Sequence, residues 1–366
     1  MDFEVRVAKS KENADRILKL GKEVEKTIFE GENPSIVLPV RGKRNVVWDK
    51  DAGLLSLGDS TSKRYFINVA HAKKFMQTML VGAFSKQLLD EDIHASLREA
   101  FYSLKHTIKG SEENTFDEQK ESDDVFVDLE VALAVLRDQL HINADRRGVA
   151  AGDVVIKDRG DLINWSKLGS GGWAIPGNVE ELEFKDLNAD FILVVEKNAT
   201  FDRLHEDKFW KKHNCVLIGT QGQAARGIRR LIHRLNHEFK LPVYVFTDSD
   251  PYGWYIYSVI KMGSMNLAHA SEELGTPDAK FLGLTVSDIY KYELRGAAIR
   301  AKDVDLRRAQ EMLKYPWFKH KEWEAELNLM LKHKIKAEQE ALAQRNLKFV
   351  SDTYLPEKIE AKNFLP

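Results

Sequence analysis

The sequence predicts an α/β protein of more than one domain, in which a helical module precedes a domain built on a parallel sheet. Three observations carry this. Phe191–Val195 and Val243–Thr247 are unbroken apolar runs rich in β-branched and aromatic residues, as in strands covered on both faces. Segments with helical spacing alternate with such runs from residue 191 to 285, the signature of βαβ units. Between residues 71 and 157, three helical segments lead into short apolar pieces separated by Gly148 and Gly152, as in a β-hairpin. A chain of 366 residues has room for two domains or a little more.

The chain is organised around Leu241–Tyr257. Asp248 and Asp250 end the strand, and residues two apart on an extended backbone point the same way. Pro251 and Gly253 turn the chain into a helix from Trp254. An Asp-x-Asp pair can be no more than a solvated turn. It is not an EF-hand, because Tyr252 and Val259 stand where that loop needs its fifth and twelfth ligands. Glu196, however, ends the strand at 191–195. Ligands of open α/β sheets gather outside the carboxyl ends of the strands. If the two strands are neighbours, Glu196, Asp248 and Asp250 converge, and a hard divalent ion is their natural counter-charge.

Residues 1–70 read as an N-terminal arm, with a helix over Lys11–Phe29 and short strands in 34–48 and 54–66. The module at 71–157 follows. Its second helix, Ala95–Thr107, sets Leu97, Phe101, Leu104 and Ile108 on an apolar stripe and Arg98, Tyr102, Lys105 and Lys109 on a cationic flank. An acidic, mobile stretch is expected over 112–124 and a third helix over Val125–Leu140. Three helices and a hairpin make a winged helix-turn-helix, a nucleic-acid module. In the domain at 158–366, Gly169–Gly177 matches neither a P-loop nor a dinucleotide fingerprint and reads as a joining loop. A helix is expected over Phe201–Lys212. Arg226, Arg229, Arg230, His233 and Arg234 make the next helix basic, and a long helix is expected over 321–348. Aromatics interleave with lysines in Lys314–Trp323, which suits either a solvated face or a nucleic-acid surface.

Composition excludes some classes. Cys215 is the single cysteine, so neither a disulfide framework nor a cysteine zinc site exists, and a reducing, cytoplasmic compartment is expected. No apolar run nears the roughly 18 residues of a membrane span. A net charge of −2 does not by itself advertise nucleic-acid binding.

A lone Glu at one strand end, Asp-x-Asp at another and no nucleotide loop resemble the Toprim fold of topoisomerases and primases. With the tyrosine of Leu97-Arg-Glu-Ala-Phe-Tyr102 in a preceding winged helix, the chain from about residue 70 onward resembles the A-subunit family of type IIB DNA topoisomerase VI, relatives of the meiotic double-strand-break transesterase. Gly222–Leu231 is more similar to the archaeal branch. The resemblance implies a winged-helix, CAP-like domain followed by a Rossmann-like Toprim domain. Tyr102 would attack a DNA phosphodiester to give a 5′-phosphotyrosyl link. Arg98 would hold the phosphate, and Glu196, Asp248 and Asp250 would bind Mg²⁺. Lys105, Lys109, Arg226, Arg229 and Arg230 are candidate DNA contacts. One tyrosine cuts one strand, so double-stranded DNA requires a homodimer, and the resemblance implies that each tyrosine is served by the acids of the opposite protomer. ATP-driven duplex passage would come from a separate GHKL-type ATPase, the B component of an A2B2 heterotetramer. The alternatives are a meiotic-type transesterase, a Toprim nuclease or primase without a covalent intermediate, and a DNA-bridging protein.

Overall fold

Helix α1 runs from Phe3 to Phe29 in a computed structural model that describes residues 3–366. It starts earlier than the spacing predicts. Ile17 and Val24 are buried on its inner face, while Ile28 in the last turn is exposed. The chain forms two compact units. The first comprises residues up to Val47, Ser56–Asp145 and Met265–Ala270; the second comprises Trp48–Leu55, Arg146–Ser264 and Ser271–Pro366.

In the first unit, β1 (Ser35–Pro39) pairs antiparallel with β4 (Thr61–Tyr65). Between them in sequence, β2 (Val46–Asp49) pairs with β3 (Leu54–Leu57). Helix α2 (Ala72–Asp90) is followed by β5 (Ala95–Ser96), α3 (Leu97–Leu104) and α4 (Gln119–Leu133). Ala14, Ile17, Val81, Leu88, Phe101, Leu104, Phe126 and Leu129 share one core. Asp128 on α4 ties down the strands through Arg41 at 2.7 Å and Arg64 at 2.6 Å.

Three local expectations change here. The acidic stretch is ordered, because Thr115 hydrogen-bonds Leu104 and His106, and α4 already begins at Gln119. The third helix stops at Ala134, which adopts a left-handed φ of 52°. No hairpin forms over 142–157. Instead β6 (Ile142–Asn143) runs parallel to β5, and β7 (Val149–Ala151) joins a sheet of the second unit. Runs this short carry no register of their own, so the pairing partner with the larger apolar surface decides.

That sheet has six strands. After β8 (Asp153–Asp158), β9 (Asp161–Asn164), β10 (Trp173–Ala174) and β11 (Glu183–Asn188) come β12 (Phe191–Val195), β13 (Cys215–Gly219), β14 (Val243–Phe246) and β15 (Lys280–Gly283). The order is β10-β7-β13-β12-β14-β15. β13, β12, β14 and β15 are parallel, and β7 and β10 close one edge antiparallel. The Gly-rich passage is therefore an edge strand as well as a connection. β8, β9 and β11 form a separate three-stranded sheet.

Helices α5 (Asn198–Glu206) and α6 (Phe209–Lys212) replace the single helix expected after β12, the break falling at left-handed Lys208. α7 (Arg226–Phe239) and α8 (Pro251–Met262) follow β13 and β14. α9 (Ser271–Leu274), α10 (Val286–Lys291), α11 (Asp303–Met312) and α12 (Lys321–His333) complete the main helices. The long terminal helix is not formed. α12 ends at Lys334, again left-handed, and residues 335–336 pair as a strand with Ile299–Arg300. Leu342 and Tyr354 from this tail enter the same core as Val195, Leu217, Phe246 and Leu282. Among the described residues no helix is long and apolar enough to cross a membrane.

Candidate active site

The two strands that end in acids are neighbours. β12 lies between β13 and β14, with Val195 opposite both Gly219 and Phe246. Glu196 and Asp248 therefore leave the sheet at the same edge. The Asp248 backbone N–H donates to Glu196 Oε2 at 3.1 Å. Asp250 caps α8, its Oδ1 accepting from the N–H groups of Tyr252 and Gly253 at 3.0 and 2.8 Å. Gly253 is needed for close approach: a Cβ there would lie 2.5 Å from the Asp248 carbonyl oxygen. The sharp turn read from the sequence is thus a helix start pressed against the acid-bearing backbone.

The tail, read as one helix, supplies groups the sequence did not offer. The Gln339 N–H donates to Asp248 Oδ1 at 2.8 Å, and its side chain donates to the Phe246 carbonyl at 2.7 Å. Ser249 and Ala337 exchange backbone hydrogen bonds. Lys336 reaches Asp250 Oδ2 at 3.3 Å, and Lys197 reaches Asp248 Oδ2 at 3.2 Å while also binding Glu338 and Glu340 at 2.8 and 3.0 Å. Lys197 could have been noticed beside Glu196. Gln339 could not, since it acts from 91 residues away.

Electrostatics show what this cluster lacks. Burial, then the charge of Asp248, pushes Glu196 up to about 7; burial pushes Asp248 up to about 6. Burial lowers Lys197, but its bonds to Glu338 and Glu340 and the charge of Asp248 outweigh this and hold it above its usual value. Negative charge is in excess at the strand ends. Among the described residues no three acidic, imidazole or thiol side chains already enclose one point as a cation cage. An all-oxygen donor set with raised carboxylates still fits a hard cation that keeps most of its own waters.

The raised values have a testable consequence. A carboxylate whose pKa is higher folded than unfolded stabilises the fold at low pH, and that contribution is lost as pH rises through the folded value. For Glu196 the window runs from 4.5 to about 7. Without divalent ions, Glu196→Gln is expected to melt higher than the parent chain at pH 8, by up to about 3 kcal/mol of stability. The gap should shrink toward pH 4.5. Calorimetry across that range checks this, and a gap independent of pH would count against it.

In the first unit, α3 presents Tyr102 outward, 62% exposed, above buried Phe101 and Leu104. A reciprocal Ser96–Glu99 capping box starts this short helix. Arg98, one turn before Tyr102, is exposed and lines a polar cavity of about 390 Å³ with Gln119, Asp123, Arg137, Asn143 and Asp145. α3 ends at Leu104, short of the expected Thr107, so Lys105 caps the helix and Lys109 lies beyond it in a turn; both are exposed, Lys105 lying 5.3 Å from the Phe101 ring centroid.

Most of the basic side chains of helix α7 are turned inward rather than displayed to solvent. Arg226 and Arg229 are buried, and Arg230 pairs with Glu180 and Glu273. Arg234 binds the carbonyls of Val179 and Leu182. Amphipathic spacing located the helix, but the arginines share its inner face with Ile228, Leu231, Ile232 and Leu235.

Comparison with known proteins bears on both units. The family model for the Toprim domain of Spo11 and of the topoisomerase 6 A chain matches residues 191–359. "Type IIB DNA topoisomerase" matches 73–142, and "All-beta domain in DNA topoisomerase VI alpha subunit" matches 148–188. The type 2 DNA topoisomerase 6 A chain of Pyrococcus abyssi is 54% identical over 349 residues, covering 93% of this chain and 91% of that protein. This chain belongs to the topoisomerase VI A-subunit family. The corresponding proteins of Hyperthermus butylicus and Methanocaldococcus jannaschii are 42% and 39% identical, over 94% of this chain and 93% and 94% of their own lengths. Within this topoisomerase VI family, Glu196, Asp248 and Asp250 lie in the Toprim match, and Tyr102 and Arg98 in the type IIB match.

Proposed function

We propose that Tyr102 is the nucleophile with which this type IIB DNA topoisomerase chain cuts DNA. The observation that carries the reading is an exposed phenol on a capped helix, one turn from Arg98, inside the stretch matched by the type IIB model. The Tyr102 oxygen loses its proton and forms a bond to phosphorus, the P–O3′ bond breaks, and the departing 3′ oxygen takes up a proton. The product is a 5′-phosphotyrosyl link. Religation is the reverse, so the strand is resealed without external energy. A phenol has a pKa of about 10 and needs a cation nearby to act at neutral pH. Arg98 supplies one and orients the phosphate. Helices α2, α3 and α4 support the three-helix part of a winged-helix, CAP-like reading of residues 71–157, although its hairpin is absent, and exposed Lys105 and Lys109 would meet the DNA backbone.

Glu196, Asp248 and Asp250 would hold Mg²⁺, which neutralises charge on the phosphate oxygens when bound. Gln339 and the strand ends orient the carboxylates, and Lys197 and Lys336 offset part of their charge. One tyrosine per chain calls for a homodimer on double-stranded DNA, with each tyrosine served by the acids of the opposite protomer. Duplex passage calls for a GHKL-type ATPase partner, the B component of an A2B2 complex.

The test traps the intermediate. Incubation with that partner, nucleotide, Mg²⁺ and supercoiled plasmid, followed by denaturant and protease, is expected to give linear DNA bearing a tyrosyl peptide at its 5′ ends. The chain alone should hydrolyse no ATP. Relaxation without any covalent adduct would overturn the assignment in favour of a nuclease-like or bridging role.

A further inference from the structure

Arg229 is 4% exposed, and its Nε and Nη1 have no hydrogen-bond partner. Among the described residues no carboxylate pairs with it. Burial, then repulsion by Arg226, pushes it down to about 10, against a smaller opposing effect of the Tyr255 hydroxyl. An arginine buried without a counter-charge is costly, and an unsatisfied buried polar group calls for an explanation such as an incoming ion. Its position says what that partner is. Arg229 lies in the first turns of α7, and side chains on a helix lean toward its N-terminus. There Ala225 gives no side-chain cap, so the positive end of the helix is left for an incoming anion.

A second arginine in the same unit meets the same tyrosine. Arg308 on α11 lies 4.6 Å from the Tyr255 ring centroid and 5.7 Å from that of Tyr252, with its Nε buried and unpartnered. Tyr252 is 46% exposed and immediately follows the Asp250–Pro251 start of α8. The loop into α7 is bonded to the other acid-bearing strand, since the Gly222 N–H donates to the Glu196 carbonyl at 2.9 Å. Helix dipole, two under-bonded guanidiniums and an exposed aromatic face thus share the acidic edge of the sheet.

We propose that Arg229, Arg308 and the N-terminal turn of α7 form a phosphate-binding site that grips the DNA backbone beside the acidic strand ends, with Tyr252 and Tyr255 backing the sugar. This rests on the DNA-cleaving reading and adds a contact that the tyrosine and acids do not provide. The site takes a phosphodiester rather than a base, because its donors are N–H groups on cations and a helix end.

The test is duplex binding by the full chain with its ATPase partner, measured by anisotropy over a range of salt concentrations. Arg229→Met is expected to weaken binding about tenfold and to reduce the slope of log K against log salt by about 0.9, one phosphate contact. Its melting temperature should hold or rise, since an unpaired buried charge is gone. Arg308→Met, at a half-buried position, should lower the slope in the same way and carries the test if Arg229→Met does not fold. Parental affinity and slope in both variants would overturn the site. So would a slope that stays unchanged while inorganic pyrophosphate stabilises only the parent chain, which marks a free-anion site, or while partner assembly is lost, which marks a protein carboxylate. Tyr102 adducts made by the parent chain report separately on the cleavage reading, so the two failures are distinguishable.

Discussion

Tyr102→Phe is expected to abolish covalent DNA adducts, lowering cleavage on the order of 10⁴-fold or more, because no neighbouring group replaces the lost nucleophile. The same change should leave the fold intact. The ring stays 5.2 Å from that of Phe101, and the missing hydroxyl belongs to a side chain that is 62% exposed. Stability should move by less than about 0.5 kcal/mol. Duplex affinity should be unchanged, since Arg98, Lys105 and Lys109 remain. Adduct counting on denaturing gels beside anisotropy and melting curves checks all three. Persisting adducts would place the nucleophile on another tyrosine.

Glu196→Ala and Asp248→Ala are expected to lower Mg²⁺-dependent relaxation by roughly 10²-fold or more, about 3 kcal/mol of transition-state stabilisation. Calorimetric titration of Mg²⁺ into the chain supplies a readout independent of turnover and should show weakened binding in both. Asp250 needs a different substitution. Its Oδ1 caps α8, so Asp250→Ala removes the cap at about 1 kcal/mol as well as a carboxylate. Asp250→Asn keeps an accepting oxygen for the cap while removing the charge. If Asn restores stability but not Mg²⁺ binding, the two roles of Asp250 separate. Full relaxation and parental Mg²⁺ binding in all the variants would defeat the metal-site reading.

What was legible in the sequence follows from what is local. Strands covered on both faces announce themselves as apolar runs, so β12 and β14 were readable, and their terminal acids with them. The outward face of Tyr102 was readable because Leu97, Phe101 and Leu104 occupy the other side of α3. Three things were not. The hairpin over 142–157 failed because β7 found its partner in β13, some 70 residues away. Basic residues on α7 mark candidate DNA contacts in the sequence, but their spacing coincides with the buried stripe, and only packing reveals that Glu180, Glu273 and backbone carbonyls receive Arg230 and Arg234. The tail reads as one helix because nothing in its composition announces the left-handed turn at Lys334, after which the chain returns to Asp248.

That return sets an order of events during synthesis. The ribosome releases Tyr102 first, then Glu196, then Asp248 and Asp250 about 150 residues after Tyr102, and Lys336 and Gln339 almost 90 residues after Asp250. A nascent chain that stalls between residues 313 and 335 already carries Tyr102, the three acids and Lys197, but lacks the Lys336 charge beside Asp250 and the Gln339 N–H on Asp248. The group that orients Asp248 is a backbone N–H, which no side-chain substitution elsewhere can mimic. An unfinished copy therefore presents its acids before the segment that orients Asp248 has been made.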